Sequence, residues 1–161
     1  MEISEALKKV HDQEELNEKL KGKYLCSALT FLKDWTITSW ELNFYDKSAN
    51  NIIQVTVDDA PHIKTEGAPF KDTQIPKVNI SKIRITAKKA LEIGKEHYEK
   101  KYKSLEIQRI FFALHGGEKN HWAISVITKH LTIVLINIDT ESGKIIKSKV
   151  HNLFDKKKTA I

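Results

Sequence analysis

The alternation of apolar and polar side chains divides the chain into amphipathic helices and a series of strands. Ile3, Ala6, Leu7, Val10, Leu16 and Leu20 lie roughly on one helical face, and Glu14, Glu15 and Glu18 fall mostly off it. The spacing predicts a helix over residues 4–21. Ser4 is its expected N-cap, since a hydroxyl there can accept a free first-turn N–H, and Gly22 is its stop. Residues 24–33 are apolar and β-prone. Trp40, Leu42 and Phe44 then alternate with Glu41, Asn43 and Tyr45, the period of a half-buried strand. Residues 46–51 carry turn chemistry, and the alternation of Ile53, Val55 and Val57 with Gln54 and Thr56 completes a hairpin.

From Asp58 to about Ile83 the pattern breaks. All three prolines fall here, Pro61, Pro69 and Pro76, together with Gly67. Proline has no backbone N–H to give a ladder, so the stretch reads as a connector with one short edge strand near residues 78–80. A second helix is predicted over residues 86–103 with Thr86 as N-cap. Ala87, Ala90, Leu91, Gly94, Tyr98, Tyr102 and Leu105 form its stripe. Strands follow at residues 107–114, from Trp122 through Ile124 and Val126, at 131–138 and at 144–150. Residues 131–138 are almost wholly apolar, which predicts a central strand buried on both faces. Asp139 and Gly143 mark the last turn.

The two halves repeat one order: capped helix, strand, Trp-led strand, turn, apolar strand. Thr86 minus Ser4 and Trp122 minus Trp40 are both 82. Concordant order and offset predict a duplicated unit rather than a solenoid. The expected organisation is residues 1–58 as a first repeat, 59–81 as a connector, and 82–161 as a second repeat with a basic tail.

The second half, from Trp122-Ala-Ile-Ser-Val-Ile to Ile133-Val-Leu-Ile-Asn-Ile-Asp139-Thr-Glu-Ser-Gly143-Lys-Ile-Ile, resembles the PepSY domain. Trp122, Asp139, Gly143 and Ile145 occupy the places of that family's strand tryptophan, Asp-to-Gly turn and closing strand. The resemblance covers about residues 82–150. The first half matches through Trp40 and its hairpin, with Asp58-Asp59-Ala60-Pro61 in place of the turn. It implies a non-catalytic module that modulates a peptidase or binds peptides. PepSY domains occur in peptidase propeptides and in secreted or membrane-attached proteins.

Composition narrows the classes. The chain has 161 residues, of which 40% are hydrophobic and 30% charged. That is too apolar for disorder, and no apolar run nears the ~20 residues of a membrane span. The net charge of +6 is uneven. Residues 1–81 hold 10 Lys+Arg and 13 Asp+Glu, and residues 82–161 hold 17 and 8. A basic half can serve an acidic partner or nucleic acid. Arg84 and Arg109 are the only arginines, which weakens base-specific DNA reading, where bidentate Arg contacts dominate. The expected interaction surface is Arg84, Arg109, Lys144, Lys147, Lys149, Lys156, Lys157 and Lys158. Cys26 is the single cysteine, so no internal disulfide forms, and its apolar neighbours make it a core residue. The N-terminus is polar and acidic rather than signal-like, so a cytoplasmic location is expected.

Chemistry-bearing motifs are sparse. There is no phosphate-binding glycine loop, no Gly-x-Ser-x-Gly elbow and no His-Glu-x-x-His helix. Asp58 and Asp59 are adjacent, so on a strand they point to opposite faces. His115 and His121 flank the turn at Gly116-Gly117 and can face each other across a hairpin, with Glu118 at its tip. Zinc needs three or four ligands, so solvated loop histidines are the expectation, with no metal and no cofactor. His97 lies near the helix stripe and is expected to be partly buried. Trp40 and Trp122 lead apolar faces and are expected in the core. The predicted core is Leu7, Val10, Trp40, Leu42, Phe44, Val55, Leu91, Tyr98, Phe112, Trp122, Ile124, Val126, Ile133 and Leu135.

The expected fold is α+β. Two helix-then-antiparallel-strands repeats carry their helices on one or two mostly antiparallel sheets, in the PepSY/cystatin-like manner. The expected function is a non-enzymatic peptide- or protein-binding module, capturing an extended peptide at an edge strand. Nonspecific nucleic-acid binding by the basic half and a small-ligand carrier or enzyme with a helix–sheet pocket are the alternatives.

Overall fold

The apolar stripe that opens the chain forms two helical pieces rather than one. In the computed structural model, which describes residues 1–69 and 74–153, α1 spans Ile3–Asp12 and α2 spans Glu14–Lys19. Val10 and Leu16 are six positions apart, which sets them on different sides of an unbroken helix with ~3.6 residues per turn. Gln13 adopts an extended ψ of 110° between the two pieces, and both side chains then reach the core. The N-cap is Glu2, not Ser4; its N–H donates to the Glu5 carboxylate at 2.9 Å. Ser4 lies within the first turn instead.

The strands are β1 (Tyr24–Leu32), β2 (Trp40–Asp46), β3 (Asn51–Val57), β4 (Pro61–Gly67), β5 (Ile107–His115), β6 (His121–Thr128), β7 (Thr132–Asp139) and β8 (Ile145–Asn152). The long second helix, α3, spans Ala87–Lys101, and Thr86 caps it by accepting from the Lys89 N–H at 3.1 Å. All eight strands form one antiparallel sheet in the order β4-β3-β2-β1-β5-β6-β7-β8. This corrects the expectation of two helix-then-strands repeats in a PepSY/cystatin-like α+β fold. Strand dominates, and β1 pairs directly with β5, from Ser27 opposite His115 to Leu32 opposite Ile110. The halves therefore share one sheet and one core.

The connector also differs from expectation. Its strand is β4, which opens on Pro61 at the sheet edge, where a missing N–H costs no ladder bond. Residues 78–80 form no strand. Val78 is buried, with its N–H on the Leu25 carbonyl at 2.9 Å, and Ile80–Lys82 is a single 3-10 turn. Gly116 makes this docking possible: a Cβ there would sit 2.4 Å from the Lys77 carbonyl oxygen. The Asp139 turn forms as its residues dictate. The carboxylate accepts from the N–H groups of Glu141 and Ser142, and Gly143 takes φ +74°.

The helices lie on one face of the sheet, α1 against β3 and β4 and α3 against β6 and β7. At the centre of that covered face Phe112 stacks on Trp122, ring centres 5.1 Å apart, and Trp40 leans on both at 5.7 and 6.3 Å. The small Ala28 and Thr30 of the intervening β1 leave Trp40 room to reach across. Each indole N–H is satisfied by the residue two before the start of a helix: Trp40 donates to the Met1 carbonyl and Trp122 to the Ile85 carbonyl. Glu2 ties the two helix starts together, its carboxylate accepting from the N–H groups of Ala87 at 2.8 Å and Lys88 at 3.0 Å. Those first-turn amides of α3 have no partner within their own helix. Gly94 lets α3 press onto the sheet, since a Cβ there would meet the Ile124 Cδ1 at 2.1 Å.

All the predicted core residues are buried except Ile133 and Leu135. Strand β7 buries only Val134, Ile136 and Ile138. Among the described residues no helix crosses the other face, so its alternate side chains stay partly exposed, and the expectation of a strand buried on both faces fails there. Replacing Trp122 with Ala removes the middle of the aromatic stack and should cost roughly 3–5 kcal/mol in urea unfolding. An unchanged midpoint would refute its placement.

Candidate interaction surface

Strand alternation sends every second side chain to the face away from the helices. On β1, β5, β6 and β7 the apolar ones are Leu29, Phe31, Phe111, Ala113, Ala123, Ile127, Ile133 and Leu135, with Ser125 among them and Ser27, Arg109, His115, His121, Asn137 and Asp139 around them. Such a series is unusual for a sheet face with no cover, where polar residues are the rule. Phe31 is 54% exposed and meets Phe111 edge-on at 5.0 Å. The Arg109 guanidinium sits 5.0 Å over the Phe31 ring, a cation–π geometry.

The β8 border of this apolar patch is basic, while on the β2 side Glu41, ion-paired with Lys64, stands opposite Leu29. On β8, Lys149 pairs with Leu135 and His151 with Ile133, while Lys147 pairs with Asn137. The structure therefore brings Arg109, Lys147 and Lys149 to one face. Of the other expected residues, Arg84 and Lys144 lie elsewhere. Lys144 belongs to the Asp139 turn, where its carbonyl accepts the Asp139 N–H. Arg84 precedes α3, with its N–H on the Thr140 carbonyl. Lys156, Lys157 and Lys158 lie outside the described residues. The sequence reading missed Phe31, Phe111, Ile127, Ile133 and Leu135 as surface residues. The available signal was β7 itself, apolar at nearly every position with only one helix layer to cover it.

A polar row crosses the lower part of the same face. Thr65 donates to Gln54 at 3.3 Å, Gln54 to Asn43 at 3.1 Å, and Asn43 to Ser27 at 2.9 Å. The register continues it through His115, opposite Ser27, then His121, then Asp139. The two imidazoles face each other with ring centres 5.3 Å apart, as the hairpin spacing suggested. They are half-buried rather than solvated. Burial holds both below the ordinary histidine value, with His121 acting in the same sense on His115 and the Lys147 charge on His121. The Lys119 carbonyl opposes this at His121.

Other chemistry-bearing groups are tied up in structure. Cys26 sits in the bulge between Leu25 and Ser27, buried, with its thiol on the Asn43 carbonyl at 3.2 Å. Burial pushes that thiol's pKa up, away from a reactive thiolate. His97 is half-buried, and its Nε2 lies 2.9 Å from Ser148 Oγ, which also meets the Tyr102 hydroxyl at 2.8 Å. This network fastens the end of α3 to β8. Between helices and sheet the space around Trp40, Trp122 and Ile124 is filled. The openings among the described residues are surface clefts. One of about 450 Å³ lies where α1, α3 and the β1–β2 loop meet, and Trp35, at φ +65°, lines it.

Among known proteins, no family model matches the chain and no curated protein matches it. A solved structure of a putative lipoprotein from Clostridium difficile 630 is similar in fold. Its TM-score is 0.58 and its identity 14%, over 85% of this chain and 88% of that one. At that identity the likeness concerns architecture alone, and it supports the single-sheet description.

The histidine environment gives a pH dependence. A folded-state pKa below the unfolded value of about 6.5 means that the unfolded chain takes up protons first. Stability is then full above about pH 6.5 and falls as pH drops below it. Thermal midpoints should fall between pH 7.5 and 5.5, and His115→Gln should flatten that slope. An equal slope in the variant would assign the effect elsewhere, His97 being the other histidine held low by burial.

Proposed function

We propose that the chain is a non-enzymatic binding module whose helix-free sheet face takes a protein surface or peptide with apolar side chains flanked by carboxylates. The observation that carries this is the patch of Leu29, Phe31, Phe111, Ile127, Ile133 and Leu135 with Arg109, Lys147 and Lys149 at its border. An apolar centre with a charged rim is the anatomy of a protein interface. The charge complementarity selects an acidic rim on the partner.

Two phenylalanines beside Arg109 also suit stacking of nucleic-acid bases. The aliphatic Leu29, Ile127, Ile133 and Leu135, which outnumber them, favour a protein.

A photo-crosslinking residue at position 135 in the native host, compared with one at Glu92 on α3, tests the reading. The expected result is one protein captured from position 135 alone, and lost when Lys147 and Lys149 are changed to Glu. Capture of nucleic acid, capture of a second copy of the chain, equal capture from both positions, or a yield indifferent to the charge reversal would each overturn it.

A further inference from the structure

We propose that His115 and His121 form a two-imidazole site for a divalent late transition-metal ion of the Zn²⁺ or Cu²⁺ class. The geometry is that of a bidentate clamp. The two residues are direct cross-strand partners on β5 and β6, so their Cβ atoms leave the same face at adjacent positions. Two imidazoles sharing one tetrahedral ion, each nitrogen at ~2.0–2.1 Å, place their ring centres roughly 5 Å apart. The observed separation is 5.3 Å, close to that spacing.

The surroundings favour an ion over a simple ring contact. Both rings are half-buried and partly desolvated, which favours the neutral imidazole that coordinates. Ser27 stands opposite His115 and Asp139 opposite His121. Oδ1 of Asp139 accepts from the turn N–H groups of Glu141 and Ser142. No group of three or more His, Cys, Asp or Glu residues converges among the described residues. The protein therefore supplies two ligands, and water or a bound molecule supplies the rest. The Lys147 and Lys119 charges oppose the ion, which lowers affinity without blocking access. Two imidazoles without thiolate select zinc, copper or nickel over magnesium or calcium.

Zn²⁺ titration of the whole chain by calorimetry at pH 7.5 tests this, with the variants His115→Gln, His121→Gln and, as control, His130→Gln. The expected result is one saturable site per chain, weakened at least about tenfold by either of the first two changes and unaltered by the third. In parallel, substoichiometric Cu²⁺ added to the ¹⁵N-labelled wild type should broaden amides around residues 113–123 before any others. That measurement holds even if a variant folds poorly. No heat at several hundred micromolar Zn²⁺, unchanged affinity in both variants, or broadening centred elsewhere would overturn the site.

Discussion

The pairing of β1 with β5 is the contact on which the rest of the molecule depends. Among the described residues it is the only place where strands from the two halves lie side by side in the sheet order. Over it, on the covered face, sit Trp40, Phe112 and Trp122, drawn from β2, β5 and β6. The aromatic stack needs the small Ala28 and Thr30 of β1 beneath it, and the pairing needs the stack to bury its surface. Glu2 continues the same union above the sheet by holding the first amides of α3 from the start of α1. Helix placement, core and sheet thus share one seam.

One sheet with helices on one side has a cost that two sheets packed face to face would not have. The far face must meet water, and eight strands make that face broad. The polar row from Thr65 to Ser27 meets it in the expected way. The stretch from Leu29 and Phe31 across to Ile133 and Leu135 does not, because apolar side chains there gain nothing from exposure. The proposed partner would cover this surface, which has Arg109, Lys147 and Lys149 at its border. The histidine pair lies at the junction of the polar row and the basic border.

Much of the fold was legible in the sequence. The period-two alternation found β2, β3, β5 and β6, and Thr86 marked the start of α3 by its cap chemistry. The residues of the Asp139 turn behaved as their side chains require. What was illegible has physical reasons. Strand β4 reads Pro-His-Ile-Lys-Thr-Glu-Gly, a polar edge with no buried face to impose alternation. The break at Gln13 follows from the six-residue gap between Val10 and Leu16, a spacing that a coarse reading smooths over. The single sheet depends on β1 meeting β5, a long-range pairing that leaves no local signal. Because that pairing was not visible, β7 was read as central and covered on both sides. The same strand, seen in place, contributes Ile133 and Leu135 to the proposed interaction surface. Charge pointed to part of it, through Arg109, Lys147 and Lys149, while nothing in the sequence singled out Phe31 and Phe111, and Ile133 and Leu135 stood among the core candidates.

The central claim is that the helix-free face is bare in the free protein. Methyl relaxation in the presence of a soluble paramagnetic agent measures this directly. The account predicts strong enhancement at the methyls of Leu29, Ile127, Ile133 and Leu135, and little at Ile124, Val134 and Ile136 on the covered face. Equal protection of both sets at low protein concentration would contradict it, because the apolar patch would then already be covered by the chain itself.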